Sequence, residues 1–310
     1  MPDSHSACLV LHGKAAMRND VRAAVDVVRA HGHHVDVRVT WEGGDAKRFA
    51  AEARDAGLEM VIAGGGDGTI NEVVTGLFSG DASNELPIAL GILPLGTAND
   101  LARACGIPLD PLAALTLAVE GVGRAVDVGR VNGRCFLNVA TGGFGTQVTA
   151  ATPNEMKKIL GRVAYLVTGL TRFSDITPAQ GRLLGPDLKW EGMFLILAIG
   201  NGRQAGGGHQ LCPEALVDDG LLDVRVLPRL PADEIPGAFR ALLNEGTEGI
   251  RRSLVSARVA WLEIEADEPL QINLDGEPIE STRFRFDVLP QRLVLKLPAD
   301  CPLLSPSSQN

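Results

Sequence analysis

The chain has 310 residues, with 29 Lys and Arg against 38 Asp and Glu and a net charge of −9. Aromatic residues make up 4%, with a single tyrosine. Neither a basic nucleic-acid footprint nor an aromatic track for a nucleic-acid strand is therefore expected. Glycine is abundant, 36 residues, with no Gly-X-Y period, so the glycines belong to turns and close backbone approaches.

The N-terminal part alternates. ACLVLHG (Ala7 to Gly13) is a short apolar run that reads as a buried strand. Val21, Ala24, Val25 and Val28 then fall at helical spacing, and Gly32 stops that helix. HVDVRVT (His34 to Thr40) alternates as a strand, and a second helix is predicted over Asp45 to Ala56. MVIAGGG (Met60 to Gly66) is a third strand entering a glycine turn. Ile70, Val73, Val74 and Leu77 mark the next helix, at i, i+3, i+4 and i+7. IALGILPL (Ile88 to Leu95) is a fourth strand, followed by GTAND and another helix. Strand–helix alternation with fully apolar strands implies a parallel sheet covered on both faces.

Near Asp127 the pattern changes to short strand-like segments separated by Gly, Pro or Asp-Gly turns, as in an antiparallel sandwich or barrel. Helices interrupt it around Asn154–Thr171 and Asp233–Leu243. The first contains MKKILGRVAYLVTGLTRF (Met156 to Phe173), amphipathic and flanked by Lys157, Lys158, Arg162 and Arg172. Such a helix either packs its apolar stripe on the sandwich or lies on a lipid surface. The tail, SPSSQN, reads as frayed. The longest uncharged run, Cys135 to Asn154, carries four Thr, three Gly, two Asn and a Gln, so no transmembrane segment is expected. Five scattered cysteines without a CxxC pair favour a reducing, cytoplasmic setting. Any membrane contact is then peripheral, at the inner face. Nothing in the sequence fixes an oligomeric state.

Two loops carry the strongest chemical signal. GGGDGTINEV (Gly64 to Val73) lies between an apolar strand and an amphipathic helix. Glycines leave backbone N–H groups free to face a ligand, and the helix N-terminus adds positive partial charge. Phosphate fits both. Its bland alternative is a tight turn with Thr69 helping the cap. LPLGTANDLARA (Leu93 to Ala104) repeats the arrangement, with Thr97 placed as N-cap and Asp100 in the first helical turn. Loops from neighbouring strands share the carboxyl edge of one sheet, where open α/β folds bind ligands.

Together with IGNGRQAGGG, LVDDGLLDV and NLDGEP, these loops resemble the diacylglycerol kinase catalytic-domain family, lipid kinases that include diacylglycerol and sphingosine kinases. The resemblance spans almost the whole chain. It implies a parallel-sheet α/β nucleotide-binding domain of the phosphofructokinase and NAD kinase type over 1–127, and a β-sandwich domain with inserted helices over 128–297. Residues 298–310 are candidates for rejoining the first domain. Catalysis is implied in the cleft between the domains. Gly66, Asp67, Gly68, Thr69, Ile70, Asn71 and Glu72 are implied to line the ATP phosphates. Thr97 assists, and Thr40 contacts the nucleotide from the second strand.

CPEALVDDGLLDV (Cys212 to Val224) is a turn by itself. The resemblance makes it a Mg²⁺ or Ca²⁺ site, with the Asp219 carboxylate and the carbonyls of Leu216 and Leu221. All-oxygen donors suit such hard cations, and Asp218 is a competing ligand. INLDGEP (Ile272 to Pro278) reads as a hairpin. The resemblance gives Glu277 the proton of the substrate hydroxyl, with Asp275 the fallback. Asp67, Asp100 and Asp127 are candidates for a water-linked metal network, against ordinary capping and strand-end roles. His209 reads as a surface-loop residue, and His31, His33 and His34 as solvated at a helix end. The expected function is ATP-dependent phosphorylation of a lipid hydroxyl, with phosphatidylglycerol and diacylglycerol as candidates. A kinase for NAD or a sugar, and a non-catalytic nucleotide- or lipid-binding regulator, are the alternatives.

Overall fold

The N-terminal apolar run forms β1 (Ser6–Leu11), buried from Ala7 onward. In the computed structural model, which describes residues 5–79, 88–143, 178–231, 233–275 and 277–306, β1 is central to a parallel sheet. It pairs with β2 (His34–Val39) on one side and β3 (Met60–Gly65) on the other. β3 pairs in turn with β4 (Ala89–Pro94), and β4 with residues 294–295 near the chain's end. Alternate residues of one strand serve two cores. Ala7, Leu9 and Leu11 pack with Val21, Ala24, Val25 and Val28 of α1 (Asn19–Ala30). Cys8 and Val10 pack with Ala46, Ala50 and Ala53 of α2 (Asp45–Asp55) and with Ile70, Val73, Val74 and Leu77 of α3 (Asp67–Leu77).

The helix expected after GTAND is divided. α4 (Asp100–Ala104) is one short turn, and α5 (Pro111–Glu120) follows with proline in its first turn. The Asp110 side chain accepts the Ala113 N–H at 2.9 Å and caps α5. α5 joins α1 on the same face of the sheet. β5 (Gly123–Val131) and β6 (Arg134–Phe136) form a hairpin.

The chain divides into two compact units. The first comprises Met1–Leu137, Leu216–Gly220 and Leu289–Asn310, and the second Asn138–Ala215 with Leu221–Val288. The sequence puts the change near Asp127, but Asp127 itself ties the three pieces of the first unit together. Its N–H donates to the Val217 carbonyl at 2.6 Å. Its carboxylate accepts the N–H of Gly220 at 2.6 Å and that of Gln291 at 2.8 Å. Burial raises its pKa above the ordinary carboxylate value. The tail is anchored too. Ser305 donates its N–H and hydroxyl to the Asp218 carboxylate, at 2.8 and 3.0 Å. At Ser305 itself the expectation of fraying fails because that serine has a fixed acceptor, and residues 307–310 lie outside the described residues.

In the second unit β7 (Val139–Gly143), β8 (Ala179–Gly185), β9 (Leu188–Gly200), β12 (Leu222–Pro228), β13 (Val255–Val259) and β14 (Trp261–Leu274) pair antiparallel. A small ribbon joins β10 (Gln204–Ala205) to β11 (His209–Gln210). The long strands β9 and β14 fork, with one half of each pairing with β8 and the other with β7. α6 (Ile235–Glu245) stands close to the predicted Asp233–Leu243. β15 (Glu277–Lys296) pairs with β14 from Glu277 to Asp287, and its residues from Leu289 onward belong to the first unit. The helix expected over 156–173 lies outside the described residues.

All five cysteines are free and buried. Cys105 and Cys301, remote in sequence, meet in the first unit's core. A hydrogen bond from Cys105 lowers the Cys301 thiol below its ordinary value.

Candidate active site

The ends of β1, β2, β3 and β4 lie in register, with Leu11 beside Val39 and Gly64, and Gly65 beside Pro94. The residues that follow, Gly13, Thr40, Gly66 and Gly96, therefore leave the sheet along one edge. At this edge the two glycine loops touch backbone to backbone. A Cβ on Gly96 would lie 2.5 Å from the Gly66 Cα, and one on Gly66 would lie 3.1 Å from the Gly96 Cα. A Cβ on Gly65 would overlap the Thr69 side chain. Gly68 differs from these. It is exposed in the first turn of α3, outside the left-handed region, and a Cβ there would meet no protein atom within 4 Å.

Gly66 is the N-cap of α3, and no side chain caps that end. Asp67, next in line, caps the neighbouring helix instead. Its carboxylate accepts the N–H of Asp100 at 3.1 Å and of Leu101 at 3.1 Å. The sequence places Thr97 at this cap. The structure puts Asn99 there, at φ +51°, with its side chain accepting the Gly96 N–H at 2.8 Å. Thr97 is left exposed beside Gly96. Thr69, Ile70 and Asn71 are buried. Ile70 belongs to the core, and its N–H donates to the Gly66 carbonyl. The outward face of the stretch is thus Gly66, Asp67 and Gly68.

Thr40 follows β2, and its hydroxyl accepts the Gly13 N–H at 3.1 Å. Glu72 reaches sideways, where its carboxylate accepts the Gly44 N–H at 3.1 Å. The loop after β2 is therefore pinned to the helix that opens at the glycine turn.

The candidate cation loop belongs to the first unit up to Gly220, and the unit boundary falls before Leu221. Gly220 has φ +73° and turns the chain tightly. Ser305 donates to both oxygens of Asp218, and Asp219 remains the candidate that the family resemblance gives. An Asp219 carboxylate with the carbonyls of Leu216 and Leu221 is a hard, all-oxygen set of the kind Mg²⁺ and Ca²⁺ take. Asp67, Asp100 and Asp127 do not gather into a direct cluster. Among the described residues no three His, Cys, Asp or Glu side chains are grouped to hold a metal. The Asp67 and Asp127 carboxylates each accept two backbone N–H groups, which are the capping and strand-end roles open to them.

In the second unit, Asp275 has φ +47° and sits between Leu274 and Glu277, which are paired across the hairpin. Its carboxylate accepts the N–H of Val139 at 3.1 Å and of Asn138 at 3.3 Å. That is a structural anchor, so the fallback base is the weaker candidate. Glu277 is described here through its backbone alone, at the start of β15.

His209 is half-buried in the β10–β11 ribbon. His33 corrects its expectation. It is buried, stacked on His5 with ring centroids 5.9 Å apart, and its Nε2 lies 3.5 Å from Glu120. The sequence did not reveal this, because its partners come from the two ends of the first unit's early chain. Among the described residues no helix is long and apolar enough to cross a membrane.

Comparison with known proteins gives the family. Residues 6–131 match the diacylglycerol kinase catalytic domain, and residues 138–297 match the YegS C-terminal NAD kinase beta sandwich-like domain. A protein of Pseudomonas aeruginosa named "Probable lipid kinase YegS-like" is 56% identical over 302 residues, 97% of each chain. A namesake from Pseudomonas syringae pv. syringae is 53% identical, covering 96% of this chain and 95% of its own. A crystal structure described as a diacylglycerol kinase from Bacillus anthracis shares the fold, with TM-score 0.76 and 24% identity over 95% of this chain and 97% of that one. The fold and both matched domains define a protein of the diacylglycerol kinase type. Within that class, the chain belongs to the YegS-like lipid kinase family.

Proposed function

We propose that this lipid kinase transfers the γ-phosphoryl group of ATP to a lipid hydroxyl, with phosphatidylglycerol or diacylglycerol as the acceptor. The observation that carries the reading is Gly68. No feature of the fold requires glycine there, so the open space beside it is suited to a ligand that approaches the backbone. Phosphate at this position would meet the uncapped N-terminus of α3, where N–H groups and the helix dipole favour an anion. Gly66, Asp67 and Gly68 supply the surface, with Thr69, Ile70 and Asn71 acting through the backbone they hold in place. Glu72 fixes the loop carrying Thr40, and Thr97 offers a hydroxyl from the second loop.

Asp219, Leu216 and Leu221 are the proposed holders of Mg²⁺ or Ca²⁺, which supplies charge neutralisation for phosphoryl transfer. Glu277 is the proposed acceptor of the lipid hydroxyl proton. In the balanced step the hydroxyl proton goes to that carboxylate and its oxygen bonds to the γ-phosphorus. The bond from phosphorus to the β–γ bridging oxygen breaks, and ADP leaves with the electron pair. Docking to the membrane face that presents the lipid is peripheral in this reading, and the setting is cytoplasmic.

The test supplies ATP labelled at the γ-phosphate with Mg²⁺ or Ca²⁺, to a panel of lipids in mixed micelles and, separately, to NAD and sugars. Label entering an organic-soluble product, and lost in the Gly68→Val protein, supports the reading. Label appearing only in NAD or a sugar, or in nothing, overturns it.

A further inference from the structure

Trp41 is 95% exposed, the most solvated large apolar side chain among the described residues. Exposing an indole forgoes roughly 1.5–3 kcal/mol of burial. A loose surface loop would explain that, but this loop is braced at each end. Thr40 donates its N–H to the Leu11 carbonyl at 2.9 Å and accepts from Gly13 through its hydroxyl. The N–H groups of Trp41 and Glu42 both donate to one oxygen of Asp45, at 2.7 and 3.1 Å. Arg48 pairs with the other oxygen at 2.7 Å and, with those N–H groups, holds the Asp45 carboxyl down at about 2. Gly44 is bonded to Glu72 of α3. The backbone that presents the indole is thus fixed to β1, α2 and α3, and α3 is the helix that carries Gly68 in its first turn.

The sheet order sets the scale. β2 is two strands from β3, about 10 Å at the usual strand spacing. Phosphates held at the β3 turn would leave the rest of a nucleotide to extend across β1 toward β2, and Thr40 and Trp41 are what β2 offers there. We infer that the Trp41 indole is the face on which the base of the phosphate-donor nucleotide stacks. This inference rests on the proposed phosphate site at Gly68. A rigid aromatic loses little conformational freedom on stacking, and every base has a face to offer it.

The rival occupant is a lipid surface, since Met17 and Val39 are also exposed. The surroundings disfavour it. With the neighbours of Met17 counted, Lys14, Arg18, Arg22, Arg38, Lys47 and Arg48 stand against Asp20, Asp36, Glu42, Asp45 and Glu52, too small a basic surplus to hold an anionic bilayer.

Calorimetric titration of the full chain with ATP and with inorganic tripolyphosphate separates the cases. Trp41→Ala should weaken ATP binding about fivefold or more and leave tripolyphosphate binding unchanged. Trp41→Phe should recover most of the ATP affinity while losing the indole emission change that ATP produces in the wild type. ATP affinity within twofold of wild type in Trp41→Ala overturns the inference. So does an equal loss for ATP and tripolyphosphate, which would place the damage in the phosphate site. If Trp41→Ala instead loses binding only to phosphatidylglycerol vesicles, the residue serves the lipid surface and the inference falls. A wild type that binds neither ATP nor tripolyphosphate refutes the phosphate site itself, and the stacking role with it.

Discussion

Gly68 and Gly96 look alike in the sequence, each a glycine directly before a threonine, yet their reasons differ. Gly96 has no room for a Cβ because the other loop's backbone is there. Gly68 has room and no partner, which makes it the informative one. Alanine in a helix is more favourable than glycine by up to about 1 kcal/mol, so Gly68→Ala should raise the melting temperature slightly. The same substitution puts a methyl where phosphate would approach, and nucleotide affinity should fall by about tenfold or more, ~1.4 kcal/mol. Thermal melting and ATP titration of one preparation check both halves. A variant that gains stability and keeps its ATP affinity removes Gly68 from the site. The sequence marked a glycine turn between a strand and a helix, and the structure has one there. The sequence did not distinguish these two glycines, because that requires knowing which loop sits against which.

At the scale of elements, local patterns were read well wherever the cause was local. Apolar runs gave the buried strands, and the i, i+3, i+4, i+7 spacing gave α3. The misses come from partners far along the chain. α4 is capped by Asp67, more than thirty residues upstream, so Thr97 was a reasonable but wrong choice. β12 shows the same limit. Asp223 and Arg225 alternate with apolar residues, a pattern that ordinarily marks a solvated face. Both are nearly fully buried. Arg225 Nε lies 2.7 Å from Asp223 Oδ1, Glu214 lies 3.3 Å from the guanidinium, and the Ser256 hydroxyl accepts from it at 3.0 Å. Burial pushes the Asp223 carboxyl up despite the pairing. Removing one partner strands the other's charge in the interior, so Asp223→Ala should cost about 3–5 kcal/mol. Replacing both, as Asp223→Leu with Arg225→Met, should cost less than that single change. Urea unfolding of the two proteins decides it. A double variant less stable than the single one would mean that the pair contributes more than its desolvation costs.

At the scale of the whole molecule, the two units carry separable parts of the proposed chemistry. The first holds the proposed phosphate loop and the Asp219 turn, which Asp127 steadies and, from the chain's far end, Ser305 as well. Removing the Asp219 carboxylate should weaken stimulation by Mg²⁺ or Ca²⁺, and thermal melting of the same protein separates loss of the cation from loss of the fold. An Asp219→Asn enzyme with wild-type metal dependence puts the cation elsewhere. The second unit offers Glu277, and the hairpin pattern alone could not choose between it and Asp275. Glu277 stays the proposed base, and Asp275 is the weaker candidate because its carboxylate accepts two N–H groups at the start of β7. Those bonds make Asp275→Asn a stability variant, with a lowered melting temperature expected. Glu277→Gln keeps the side chain's size and removes its basicity. If Glu277 accepts the hydroxyl proton, that variant should melt like wild type, bind ATP normally and lose about 10²–10⁴-fold in kcat. Turnover at saturating lipid, ATP calorimetry and thermal melting on both variants check the assignment. A Glu277→Gln enzyme within a few-fold of wild-type kcat sends the proton by another route and leaves the hairpin a structural one.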